Sequence, residues 1–432
     1  MADPVVARII TLDPAHFHAA LVQKQMQPGI APRVAVYAPL GPDLLAHLRL
    51  IEQFNTRADN PTRWEMDVHC SDHSLEEMIA ARPGNVVILA GHNRTKIGKI
   101  RAALEAGLNL LSDKPWIIRA EDFPTLESAL ALARQRGLVA YDMMTERHEI
   151  TTILQRELVN DPEVFGRPIP ADPKNPDVVI ESTHFISKLV AGAPNPRPLY
   201  FFDVLDQGKG ITDVGTHLVD LAQWTLFPGQ AIDYQRDIRV QKGKNWATPI
   251  TLEQFRQITG AAAFPSELSR HVTGDRFDYY CNNQVDYTLR GVQVRLTVLW
   301  DWQSPAGVDL HHAIYRGTKA DVEVRQTAEE KYRPALVVTP RSKPELAAAA
   351  VRARLTQLQT RFPGLSCEAR GTDLHIIIPD VYRVGHEAHF AQVVADFLQY
   401  LQTPQSLPAW EAPNMLAKYF VTSEGARLAG TV

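Results

Sequence analysis

Cysteine is scarce in this chain. Cys70, Cys281 and Cys367 are the only three in 432 residues, they lie far apart and they form no CxxC pair. That excludes a disulfide framework and any cysteine-rich zinc site. No run approaches the roughly 18 apolar residues of a membrane span. The N-terminal MADPVVARIITLDPAHFH has no cationic segment followed by an apolar stretch, so no signal peptide is expected and a cytoplasmic protein is the default. Charge of one sign is not in excess. The net charge of −4 gives no reason to expect nucleic acid or an anionic membrane surface as partner. HExxH, the P-loop pattern and G-x-S-x-G are all missing, so zinc-protease, NTPase and α/β-hydrolase readings lack support.

What is present is the composition of a soluble globular protein, 45% apolar and 22% charged, long enough for two domains. The first half alternates strand and helix patterns. Strands are expected at Arg8–Leu12, Arg33–Tyr37, Glu65–Cys70, Asn85–Ala90, Leu108–Ser112 and Leu138–Met143. Helices are expected at Phe17–Gln25, Leu44–Phe54, Ser74–Ala81 (with a Ser cap), Lys96–Ala106 and Glu121–Arg136. NVVILA is continuously apolar, as a parallel strand buried on both faces must be. Such alternation predicts a doubly wound parallel sheet, and such sheets take ligands beyond the carboxyl ends of their strands. Those ends hold Asp13 and His16; Gly91, His92, Asn93 and Arg94; Asp113, Lys114 and Pro115; and Glu146, Arg147 and His148. After about Thr151 the alternation stops. Val178–Phe185, Asp278–Trp300 and Gly307–Gln326 read as strands, most with one solvated face, and Lys343–Arg361 as an amphipathic helix. The segment Lys242–Pro265 reads as polar with one short helical piece, TLEQFRQIT.

Gly208 to Trp224, GKGITDVGTHLVDLAQW, is the stretch richest in chemistry. Its two opening glycines suit a tight turn or a close backbone approach. Thr212 or Asp213 can cap a helix on which Asp213 and His217 stand one turn apart, with Asp220 and Trp224 continuing the stripe. A carboxylate and an imidazole facing one way can form a proton-transfer site. The same residues equally suit an amphipathic helix with a capping Asp and a core His. Glu181, His184 and Lys188 suit either a substrate pocket or a solvated strand face. His311 and His312 point to opposite strand faces and cannot readily share one ion. His386, Glu387 and His389 do not share one helix face, so no metal is expected.

Four ordered segments resemble the Gfo/Idh/MocA oxidoreductases, the group of glucose-fructose oxidoreductase and inositol dehydrogenase. They are NVVILAGHNRTKIGKIRAALEAGLNLLSDKP, GKGITDVGTHLVDLAQW, RGTKADVEVRQ, and the closing pair HFAQVVADFLQYLQ and WEAPNMLAKYFVTSEGARL. The motifs DPAHFH and GHEAHF look like hallmarks of a divergent branch with a longer C-terminal region. The resemblance implies an N-terminal Rossmann-like domain, residues 1–148, and a C-terminal α/β domain with an open, mostly antiparallel sheet, residues 149–432. It also implies a homodimer or homotetramer, NAD or NADP as cofactor, and hydride transfer at a secondary alcohol of a sugar, polyol or related compound. By motif position Lys114, Asp213 and His217 are the catalytic residues. The cofactor is expected at Asp13, His16, Phe17, Tyr37, Gly91, His92, Asn93, Asp113, Lys114 and Pro115. The substrate is expected at Arg147, Glu181, His184, Asp213 and His217.

Two departures stand out. The first strand runs into TLDPAHFHA and not into G-x-G-x-x-G, so the glycines that let a backbone approach pyrophosphate are missing. The second ends in Tyr37 and not in an acid for the adenosine ribose; its ring is a candidate to stack on adenine. Two alternatives therefore remain beside the dehydrogenase. One is a glycosidase or lyase that uses a tightly held NAD transiently. The other is a non-catalytic sensor that lost dinucleotide binding. No role is assigned from sequence to the extension over residues 327–385.

Overall fold

The computed structural model describes residues 7–169, 174–190, 193–194, 196–304 and 307–430. The chain forms two units: residues 1–145 with 385–419, and residues 146–384 with 420–432.

In the first unit the strands are β1 Ile9–Leu12, β2 Arg33–Ala38, β3 Glu65–Cys70, β4 Val86–Leu89, β5 Asn109–Ser112 and β6 Ala140–Asp142. All pair in parallel, in the order β3-β2-β1-β4-β5-β6. The intervening helices are α1 His18–Leu21, α2 Pro42–Thr56, α3 Ser74–Ala81, α4 Lys96–Glu105 and α5 Phe123–Arg136. This is the doubly wound sheet expected from the alternation. β4 shows why the pattern was readable: helices cover both faces, and all four of its residues are buried. Gly137, at φ 64°, closes α5 in the left-handed conformation that glycine adopts without strain. Two local expectations fail. α1 is one turn long, because the chain after Leu21 tightens into i→i+3 bonds from Gln23 to Ala20 and from Lys24 to Leu21. Ser74 does not cap α3; its hydroxyl donates back to the Ser71 carbonyl, and His73 holds the cap position.

The second unit begins with α6 Ile150–Val159 and β7 Val178–Ser187, then a small hairpin of β8 Leu189–Val190 and β9 Ala193–Pro194. The helices α7 Gly210–Asp213, α8 Gly215–Leu226 and α9 Tyr234–Asp237 follow. Next come β10 Ile238–Thr251, α10 Leu252–Thr259, β11 Val272–Thr273, β12 Arg276–Leu289 and β13 Val292–Gln303. β14 Leu310–Arg316, β15 Ala320–Arg325, β16 Ala335–Pro340, α11 Pro344–Leu358, β17 Ser366–Arg370 and β18 Asp373–Ile377 complete it. One ten-stranded sheet runs β10-β12-β13-β7-β14-β15-β16-β18-β17, with β11 on β12. Only β13 and β7 pair in parallel within it. The polar segment before TLEQFRQIT, to which the sequence assigned no element, is strand β10. As an edge strand it leaves most side chains at least partly in water, so its sequence carries little apolar alternation.

The last helices are α12 His386–Gln402 and α13 Glu411–Leu428. Residues 385–419 pack with the first unit. Phe390, Val393, Val394, Phe397, Leu398 and Leu401 of α12 share a core with β1, β2 and β4. An amphipathic stripe announces a buried helix face but not the partner that buries it. No helix among the described residues is long and apolar enough to cross a membrane.

Candidate functional site

Strand order in the first unit reverses between β1 and β4, where sheets of this kind take ligands. Lys114 is the second residue after β5 and is 9% exposed. Its neighbour Asp113 is buried at 2% and faces two imidazoles: His16 Nδ1 lies 2.8 Å from its Oδ2 and His18 Nδ1 lies 3.0 Å from its Oδ1. Burial drives the His18 pKa down to about 3 against the pull of Asp113, so the ring is neutral near pH 7. Burial would raise Asp113, but His18 and His16 together hold its carboxyl well below the usual range. Lys96, buried at 1%, donates to Asn93 Oδ1 at 2.5 Å and to the Asp113 carbonyl at 3.2 Å.

The β1–α1 turn is built without glycine. Asp13 takes φ 50°, and its carboxylate pairs with Lys99 rather than facing a phosphate site alone. The amides of Ala15 and His16 are committed to the carbonyls of Asp13 and Ala90. Gly91 is required by close approach: a Cβ there would stand 2.3 Å from the Asp13 carbonyl oxygen. His92 lies 3.5 Å from Asp43, and Phe17 is 48% exposed. Tyr37 does not fit its expected role. It is 2% exposed and one ring face is stacked on His69 at 4.4 Å, which leaves no face for adenine. A dinucleotide fits these strand ends if Lys96, Lys99, Lys114 and Asn93 supply the polar and charged contacts that a glycine-rich loop would supply by backbone.

In the second unit the Gly208–Trp224 stretch behaves as its glycines suggest. Gly208 takes φ 96°, and a Cβ on Gly210 would meet the Cys281 carbonyl at 2.2 Å. The helix nevertheless starts earlier than expected. Lys209 is its cap residue and Asp213 closes α7 instead of capping α8, while the Thr212 and Thr216 hydroxyls donate to the carbonyls of Lys209 and Asp213. Asp213 is 8% exposed. Its charge reaches Arg197, whose guanidinium donates to the carbonyls of Phe185 and Ile186 and lies 5.7 Å from the Trp300 ring.

His184 sits at 4.9 Å from the same Trp300 ring. Its Nδ1 lies 3.0 Å from Asp309 and its Nε2 lies 2.9 Å from the Ser182 hydroxyl, a Ser–His–Asp chain. Burial would raise Asp309, but His184 and Lys188 hold it well below the ordinary carboxylate value. Two expected substrate residues are placed elsewhere. Glu181 and His184 lie three positions apart on one strand and so face opposite sides of the sheet; Glu181 stands beside His312 and Thr297. Arg147 is engaged by Asp220, with Nε and one terminal nitrogen each 2.6 Å from a carboxylate oxygen. His311 and His312 face opposite ways, as expected, with His312 Nε2 2.7 Å from Glu323.

Sequence reasoning missed Arg197, Trp300 and Asp309, none of which sits in a motif quoted above, while Lys96 stood inside the NVVILAGHNRTKIGKI segment without a role assigned to it. His18 was visible in DPAHFH, and its i+2 spacing from His16 was the available signal.

Residues 154–430 match the family "Putative oxidoreductase C terminal domain". No curated protein matches the chain. A solved "putative oxidoreductase" from Parabacteroides merdae is 44% identical with a TM-score of 0.96, covering 99% of this chain and 98% of its own. A "putative myo-inositol dehydrogenase" from Sinorhizobium meliloti is 12% identical with a TM-score of 0.56, covering 98% and 97%. KijD10, a 3-ketoreductase from Actinomadura kijaniata solved with NADP, is 13% identical with a TM-score of 0.58, covering 96% of both chains. At such identity the latter two share the fold.

Proposed function

We propose, for a chain that belongs to the Gfo/Idh/MocA-type oxidoreductases, that it moves a hydride between a secondary alcohol of a sugar, polyol or related compound and NAD or NADP. The observation that carries the reading is Lys114, held 9% exposed two residues after β5 at the carboxyl ends of a parallel sheet. The names of the two distant structures, a polyol dehydrogenase and a ketoreductase bound to NADP, support the reaction class.

The chemistry asks three things of the protein. An alcohol gives up hydride only as its hydroxyl proton leaves, so a base is needed, and His217 is the proposed acceptor. Charge develops on the oxygen, and the Lys114 ammonium is the proposed stabiliser. The base must be oriented, and Asp213 is assigned that role or a hydrogen bond to a substrate hydroxyl. A bound nicotinamide supplies the hydride acceptor. With Glu181 on the other sheet face and Arg147 held by Asp220, the substrate side is assigned to Asp213, His217 and His184. A homodimer or homotetramer is part of the same proposal, and sedimentation checks it.

The test has two readouts. Protein denatured after purification is assayed for released NAD(H) and NADP(H), and thermal shifts are read on adding each. A dinucleotide released, or a saturable shift, is expected. Lys114→Ala should keep its fold and lower kcat by about a hundredfold or more. Neither dinucleotide nor shift, or full turnover by Lys114→Ala, overturns the proposal.

A further inference from the structure

His16, His18 and Asp113 each offer one donor atom, and these atoms all lie within 4.8 Å of one another. They come from adjacent parts of the sheet: the turn after β1 and the end of β5, which flank β4 on its two sides. Their backbone is fixed before any ligand arrives. Asp13 donates its amide to the Tyr37 carbonyl at 2.9 Å, His16 to Ala90 at 2.8 Å, and Asp113 to Leu89 at 2.8 Å.

The contact between His18 and Asp113 is unusual. Nδ1 and Oδ1 stand 3.0 Å apart, close enough for a hydrogen bond. Both atoms are buried, and their contact lies at the margin of hydrogen-bond geometry, while the other carboxylate oxygen of Asp113 accepts from His16 Nδ1. Two imidazole nitrogens converging on one buried carboxylate are placed as the ligands of one cation would be. The distances agree. Metal–ligand bonds of about 2.0–2.1 Å place neighbouring ligands about 2.9 Å apart in an octahedral shell and about 3.3 Å apart in a tetrahedral one. Across Asp113 the separations are 2.8 and 3.0 Å, the shorter being a hydrogen bond from His16 to the carboxylate that a bound ion would replace.

We propose that His16, His18 and Asp113 bind a divalent first-row transition-metal ion of the zinc type. Two imidazoles and one carboxylate are a borderline donor set, which suits zinc, iron, cobalt or manganese and disfavours calcium and magnesium. Three protein ligands leave positions open. The His16 side chain is 34% exposed where His18 is 9% and Asp113 3%, so the open positions lie on the His16 side. They take water or an anionic oxygen of a ligand. Of the lysines nearby, Lys99 is paired with Asp13, and Lys96 donates to Asn93 and to the backbone carbonyl of Asp113. The His386 ring stands 5.5 Å from that of His18 as a further imidazole beside the cluster. The metal site shares His16 and Asp113 with the strand ends assigned to the dinucleotide, and the metal titration below reads it without any dinucleotide present.

The test uses full-length protein without a histidine tag. Metal content is measured by mass spectrometry on protein purified without chelator. Protein stripped with EDTA is then titrated with Co2+ and Zn2+, reading cobalt ligand-field absorption and heat. About one site per chain is expected, with ligand-field bands on cobalt binding. Asp113→Asn and His18→Gln should weaken that site by more than about a hundredfold, and the exposed His73→Gln should not change it. His16→Ala removes a partly exposed ligand and serves if the buried variants do not fold; it should lose the same site with an unchanged circular-dichroism spectrum. No saturable binding at micromolar metal, or equal binding by wild type and His16→Ala, overturns the proposal.

Discussion

Replacing Lys418 with Met offers a sharp test of how the first unit is closed. Lys418 lies on α13 and is fully buried; its Nζ is 2.8 Å from Asp142 Oδ2 at the end of β6. Asp142 is itself 2% exposed and also accepts from the Tyr419 hydroxyl at 2.7 Å. The substitution keeps the volume and removes the charge, leaving a carboxylate in the interior. Breaking a buried pair in this way costs about 3–5 kcal/mol. The retained Tyr419 hydrogen bond puts the expected loss near the lower end, about 3 kcal/mol. For a unit of this size that is a fall of roughly 6–12 °C in the melting temperature. The double variant Asp142→Asn with Lys418→Met removes both charges and should recover to within about 1 kcal/mol of wild type. Urea unfolding, with hydrogen exchange resolved to peptides of β6 and α13, reads the change and locates it. A single variant that loses less than about 1 kcal/mol, or a double variant no better than the single, would refute the reasoning.

Three further outcomes are expected. Gly91→Ala should cost about 1–3 kcal/mol, because its Cβ meets the carbonyl oxygen of Asp13, a backbone atom that cannot swing aside; urea titration measures it. Phe397→Ala, at a residue 2% exposed in the core shared by α12 and the parallel sheet, should cost about 3–5 kcal/mol, and hydrogen exchange should loosen in β1, β2 and β4 but not in β12 and β13. Asp309 is held below its ordinary value by His184 and Lys188, so its ionised form contributes stability in full above the unfolded value of about 4 and loses it as pH falls below that. Asp309→Asn should therefore be destabilised near neutral pH, with the gap from wild type narrowing below about pH 4 in melting scans; a gap independent of pH refutes the assignment.

Some features of this protein are local in the physical sense and could be read from the sequence. β4 is buried on both faces, so every residue of Val86–Leu89 must be apolar, and the strand announces itself. Gly208 and Gly210 stand where a positive φ and a close approach demand them. The alternation of strands and helices decides the doubly wound sheet, because parallel neighbours need crossovers. Asp113 and Lys114 are legible in the same way, as the charged pair that follows a buried strand.

Other features exist only once distant segments meet. The stripe of α12 states that one face is buried, and only the assembled core shows that the partner is a sheet nearly four hundred residues earlier in the chain. Tyr37 looks like an available ring until His69 of the next strand covers it. Arg147 looks free until Asp220 holds both arms of its fork. The cluster of His16, His18 and Asp113 joins residues almost one hundred positions apart. Sequence fixes periodicity and backbone preference because these depend on neighbours along the chain. Which charge meets which, and which face is covered, depends on neighbours in space, and only the tertiary structure decides it.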